Sequence, residues 1–121
     1  MVPARDRAVL DASVLADIRA LGMPGEANPL AEVTELFLSS FPRDLSALRT
    51  AIAAKDVESV YTVAHRMRGS ALGVGAIRLI PICAAIENAA RVGCLEQAVA
   101  EAAGLDQEVD FACLALEQAS R

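Results

Sequence analysis

Tryptophan is absent from the sequence, tyrosine and histidine each occur once, and phenylalanine occurs three times. Sheet proteins draw on aromatic and β-branched residues, so this scarcity argues against a sheet. No apolar run approaches the roughly 18–20 residues needed to cross a bilayer, so membrane insertion is not expected. The opening Met1-Val2-Pro3-Ala4-Arg5-Asp6-Arg7 has mixed charge and no apolar stretch behind it, unlike a secretory signal. Positive charge is short as well: 11 Lys and Arg face 16 Asp and Glu, for a net charge of −5, and no basic tract occurs. Nucleic-acid binding depends on cations that neutralise phosphates, so that class of partner is not expected either. Cys83, Cys94 and Cys113 are odd in number, without CxxC spacing or a neighbouring His. They read as reduced thiols serving as small apolar residues in a cytoplasm, with no metal site among them.

What the chain does have is small aliphatic residues. Hydrophobic residues make up 55% of 121 positions, mostly Ala, Leu, Val and Ile. That composition suits closely packed helices, and the length suits one domain over 1–121, with 1–10 as a flexible N-terminal segment. The fold expected is all-α.

The helices can be placed by their caps and stripes. Asp11 caps a short first helix, 12–21, which Gly22-Met23-Pro24-Gly25 ends. Asn28-Pro29 opens a long second helix to about Lys55, striped by Val33, Phe37, Phe41, Leu45, Leu48 and Ile52. Pro42 either kinks this helix or divides it into two. Asp56 caps the third, whose stripe is Val57, Val60, Ala64, Met67, Ala71 and Val74. Gly73 and Gly75 weaken its end. A fourth runs over about 76–92 with Leu79, Cys83, Ile86 and Ala90 inward. A last helix, about 95–119, carries Leu95, Val99, Ala102, Val109, Cys113 and Leu116, with Gly104 inside it at some cost. Short connections make neighbours antiparallel. The expectation is an up-down-up-down four-helix bundle with an additional short N-terminal helix.

The stretch that carries chemistry is Ala64-His65-Arg66-Met67-Arg68-Gly69-Ser70-Ala71. At about 100° per residue, His65 points roughly 130° away from the buried stripe, and Tyr61, Arg68, Gly69 and Leu72 fall within about 60° of it. An outward neutral imidazole is a nucleophile near neutral pH. Arg68, one turn on, can neutralise phosphoryl oxygens, and Gly69 leaves room for an incoming donor. The competing reading is a solvated histidine beside an arginine that keeps the domain soluble. Against it stand a costly mid-helix glycine and the exposed apolar surface of Tyr61 and Leu72.

The same stretch, followed by Gly75-Ala76 and preceded by Leu36-Phe37-Leu38-x-x-x-Pro42-x-x-Leu45-x-x-Leu48, resembles the histidine-containing phosphotransfer (HPt) domain family over roughly residues 30–91. The resemblance implies that His65 is the phosphoacceptor, that Arg68 replaces the usual lysine, and that Gly69 and Ser70 match the family's glycine and small residue. It also implies that Glu87, on the next helix, holds the other imidazole nitrogen. The alternative for Glu87 is a solvated charge paired with Arg91 at i+4. The implied function is a monomeric phosphocarrier in a multistep His-Asp relay, without nucleotide site, cofactor, metal or turnover of its own. Its partners would be receiver domains of response regulators or hybrid kinases, and Mg²⁺ would belong to the receiver. The docking face expected is Tyr61, Leu72, Ser70 and Leu38 or Phe37, although core packing is the readier explanation for Phe37. Two other functions compete: a helical adaptor binding a partner through the Tyr61/Leu72 face, and a dimeric histidine-kinase-like phosphotransferase. Four complete stripes in one chain argue against the second.

Overall fold

The computed structural model describes residues 8–121, and among these every regular element is a helix. The order is α1 Ala12–Ala20, α2 Pro29–Ala53, α3 Val57–Val74, α4 Leu79–Arg91, α5 Leu95–Ala102 and α6 Leu105–Ala119. Of the segment expected to be flexible, residues 1–7 lie outside the described residues. Val9 and Leu10 pack against the core, and the Val9 carbonyl accepts a hydrogen bond from Ile77 N–H at 3.2 Å.

Side chains start the first three helices. Asp11 accepts from Ser13 N–H, Asn28 from Leu30 N–H and Asp56 from Ser59 N–H, each satisfying a donor the helix cannot. Between its caps α2 is a single helix, and Pro42 does not divide it. Gly75 ends α3 at φ 67°, and a Cβ there would lie 2.9 Å from that of Val14. Only glycine meets both demands, and the turn it makes also accepts Asp11 N–H on its carbonyl at 2.8 Å.

The expected last helix is two. Gly104, at φ −95° and ψ 3°, interrupts the ladder between α5 and α6. A glycine in a helix interior costs about 1 kcal/mol relative to alanine, and here the helix breaks at it. The break frees α6 to pack against both α2 and α4, while α5 lies along α4. It also overturns part of the expected stripe: Val99 is exposed and Ala98 is buried in its place.

The core runs between the helices. Phe37, Phe41 and Leu48 from α2 meet Val60, Ala64, Met67 and Ala71 from α3. Leu79, Cys83 and Ile86 from α4 and Leu105, Val109 and Leu116 from α6 complete it. Phe37 stacks on Phe41 with centroids 4.7 Å apart, so Phe37 is a core residue. Neighbour contacts run α2 to α3, α3 to α4, and α6 back to both α4 and α2, which closes a ring of four positions, with α1 against α2 and α3. α3 is thus held between α2 and α4, with one face left to solvent.

Candidate functional site

The free face of α3 carries His65, whose side chain is 59% exposed. One helix away, Glu87 rises from α4 one turn after buried Cys83 and beside buried Ile86, so its carboxylate emerges along the α3 flank. Its Oε2 is 2.8 Å from His65 Nδ1. An ionised carboxylate can only accept, so in the neutral imidazole Nδ1 carries the proton and Nε2 keeps its lone pair. The second carboxylate oxygen, Oε1, is 2.9 Å from Arg68 Nε. Glu87 is only 12% exposed, and both of its oxygens are engaged by α3. Arg91, the other partner considered for it, donates instead to Asn88 Oδ1.

Arg68 therefore does something the sequence did not reveal: it grips Glu87. A guanidinium has five N–H donors, so an Nε contact does not exhaust it, and the remainder can still meet an anion. Tyr61 lies parallel to the His65 ring, with centroids 6.2 Å apart and planes at 14°. Tyr61, Arg68, Glu87, Asn88 and Arg91 line a cleft of about 280 Å³ beside the histidine.

Gly69 follows one turn after His65. Its φ is not positive, and a Cβ built on it meets nothing within 4 Å. Neither backbone conformation nor packing requires glycine there, although a mid-helix glycine is unfavourable. Gly73, one turn further, is equally unconstrained.

The structure gathers Tyr61, Arg68, Gly69 and Leu72 on the His65 face, with Leu72 53% exposed. Ser70 lies to the α2 side, in a groove of about 170 Å³ that it shares with Leu36, Ser40 and Gly73. Leu38 is not brought there. It lines a separate groove between α2 and α6, with Thr34 and Glu117. The exposed apolar α2 residue in the α3 groove is Leu36, at 67%, beside Val33, Phe37 and Ser40. Its signal in the sequence was an apolar side chain lying off the Phe37/Phe41/Leu48 stripe.

Asp44 and Arg66 were not singled out from the sequence. Asp44 is a buried carboxylate in the core-facing stripe of α2, and Arg66 Nε and a terminal nitrogen approach its Oδ1 at 2.9 and 2.8 Å. A charge at a stripe position was the overlooked signal, because buried charges are retained when paired.

Burial, and secondarily the Glu87 charge, push the Cys83 thiol up to about 12. It is no nucleophile beside the site. No group of three or more His, Cys, Asp or Glu among the described residues could hold a metal ion. No helix among them is long and apolar enough to cross a membrane.

Comparison with known proteins matches the chain to a described family and fold. The family model described as the Hpt domain matches residues 32–119. The crystal structure of histidine-containing phosphotransfer protein B (HptB) from Pseudomonas aeruginosa PAO1 is similar, with a TM-score of 0.83 and 25% sequence identity, over 93% of this chain and 94% of that one. A search of curated proteins finds no match.

Proposed function

The chain belongs to the Hpt domain family, and from that premise we propose that it is a phosphocarrier that takes a phosphoryl group on His65 from a receiver-domain aspartate and passes it to another receiver. The observation that supports the reading is the double engagement of Glu87, which holds Nδ1–H of His65 and so keeps the lone pair on Nε2 of a mostly exposed ring.

Chemically, the Nε2 lone pair attacks phosphorus as the P–O bond to the donor aspartate breaks. The aspartate departs as a carboxylate. The imidazole becomes an Nε2-phosphorylated imidazolium, and its Nδ1–H stays on Glu87, whose negative charge stabilises the cation. No proton has to leave. Transfer to the next receiver is the reverse of this step. Arg68 offsets charge on the phosphoryl oxygens while its Nε keeps Glu87 in place. Gly69 leaves the approach to Nε2 open, and Tyr61 and Leu72 offer apolar surface for docking. Nothing in this scheme needs a nucleotide site or turnover, so the chain acts as a carrier and a single copy suffices. Reduced thiols fit a cytoplasmic setting.

The experiment is incubation with a phosphorylated receiver, followed by detection of acid-labile, base-stable label. Label is expected on the unaltered chain and not on a His65→Gln variant. Label retained by His65→Gln would overturn the reading. Receiver binding without any transfer would favour a non-catalytic adaptor instead.

A further inference from the structure

Asp44 is the one acidic or basic side chain that is buried among the described residues, and its partner is the residue next to His65. Stability alone does not explain such a pair. Apolar residues of similar volume in place of a buried charge and its partner are often neutral or stabilising, and here the desolvation cost falls mainly on Asp44, whose side chain is 12% exposed against 53% for Arg66. What an ion pair adds over apolar contact is direction.

Direction matters on α3. Its buried face mixes the small Ala64 and Ala71 with Val60, Val63, Met67 and Val74, all of them apolar, and its outer face carries Gly69 and Gly73. Apolar burial is non-directional, so it specifies the rotation of the helix less sharply than an ion pair does. Rotation is what would misplace the histidine: with side chains about 6 Å from the axis, a turn of about 10° moves the ring by about 1 Å. Displacement of that size costs reactions on the order of 100-fold.

Two polar connections cross from α3 to its neighbours, on opposite flanks of His65. Toward α4, His65 and Arg68 hold Glu87. Toward α2, Arg66 places two nitrogens on one Asp44 oxygen, at 2.9 and 2.8 Å. Arg66 is about 100° around the helix from His65 and Arg68 about 60° the other way, so the two connections oppose each other in rotation. We propose that Asp44 and Arg66 are a positioning pair, whose ion pair sets the rotation of α3 against α2 and so aims His65 Nε2 at the phosphoryl donor. This rests on the phosphoacceptor reading of His65, and the test separates the two.

The unaltered chain is compared with an Asp44→Leu/Arg66→Leu double variant and with Arg66→Lys. Three quantities are read: the melting temperature, the ¹⁵N spectrum of the His65 imidazole, and the single-turnover transfer rate from a phosphorylated receiver across receiver concentrations. The double variant is expected to melt no lower than the unaltered chain. Its rate at saturating receiver is expected to fall about tenfold or more, with little change in the half-saturating concentration. Its His65 spectrum should move from one Nδ1–H tautomer toward a mixture. Arg66→Lys keeps the charge but not the two-nitrogen grip, and should fall between. A folded double variant with unchanged saturating rate and unchanged spectrum overturns the proposal. Should the double variant not fold, Arg66→Lys decides in the same way: unchanged rate and spectrum overturn it, and a lowered rate with a shifted spectrum supports it. If the unaltered chain takes no label but the variants still shift the His65 spectrum, the phosphoacceptor reading fails and the positioning pair stands.

Discussion

His65 and Glu87 are 22 positions apart in sequence, and their side chains meet at 2.8 Å between Nδ1 and Oε2. The carboxylate is mostly buried and the imidazole mostly exposed, so the fixed partner orients the mobile one. Glu87→Gln keeps an acceptor for Nδ1–H but loses the charge that holds Arg68 and stabilises an imidazolium. Glu87→Ala loses both. Partners that fix an imidazole tautomer typically matter about 10–100-fold. Transfer to Glu87→Ala is therefore expected to slow by that amount, and transfer to Glu87→Gln by about tenfold or less. Rates from single-turnover labelling check it, and an Ala variant as fast as the unaltered chain would remove Glu87 from the site.

The three thiols differ in reach, and this is open to a direct chemical check. Cys94 is exposed and Cys113 partly buried, with its thiol raised by burial and then by Asp110 and Glu117. Cys83 is buried with a value of about 12, so at pH 8 it is essentially all thiol. Alkylation followed by mass spectrometry should modify Cys94 first and Cys113 more slowly, with Cys83 modified only after denaturant is added. Modification of Cys83 in the folded chain at a rate near that of Cys94 would contradict its placement under Glu87.

Much of this architecture was legible because period and caps are local signals. The α3 stripe of Val60, Ala64, Met67 and Ala71 is buried as its spacing implied, and that spacing alone turned His65 outward. The Asp11, Asn28 and Asp56 caps lie where short polar residues precede apolar periodicity. Gly104 was harder to read. One mid-helix glycine is tolerated in some helices and breaks others, and its cost of about 1 kcal/mol does not decide between them. Tertiary packing of α6 on α2 and α4 decides it. Leu38 and Leu36 differ by two positions, or about 200° of helix, and choosing the flank that faces α3 requires knowing where α6 lies. Asp44 was passed over for a related reason, since a carboxylate reads as surface until the arginine that pairs with it is known.

Acid should weaken the cap of the helix that carries the histidine. Asp56 accepts the Ser59 hydroxyl at 2.6 Å and the Ser59 N–H at 3.2 Å, and these bonds, in that order, hold its carboxyl below the ordinary 3.8. A carboxylate lowered on folding contributes stability that is present above its unfolded value and lost as pH falls through the folded one. Melting temperatures should therefore drop below about pH 4, with Asp11 adding to the drop in the same direction. Asp56→Asn keeps an acceptor but cannot titrate, so its acid limb should be shallower. Asp56→Ala should melt lower across the whole range. An Asn variant whose acid limb matches that of the unaltered chain would show that the cap does not titrate.

Gly69 offers the clearest separation of function from stability. Alanine fits there without strain or contact, and the same holds at Gly73. Each replacement is expected to stabilise the fold by about 1 kcal/mol, measured by denaturant or thermal melts. The two should differ in transfer. The Gly69 backbone is one turn, about 6 Å, along the axis from His65, and that of Gly73 about 12 Å. On the proposed mechanism a methyl group at 69 therefore stands where the phosphoryl donor would approach Nε2, and one at 73 lies at the edge of the Leu36 groove. Gly69→Ala should be more stable and slower, whereas Gly73→Ala should be more stable with transfer close to that of the unaltered chain. Because both variants gain stability, loss of rate in only one of them cannot be ascribed to unfolding. Equal rates in the two would mean that the space above Gly69 is not used by the donor.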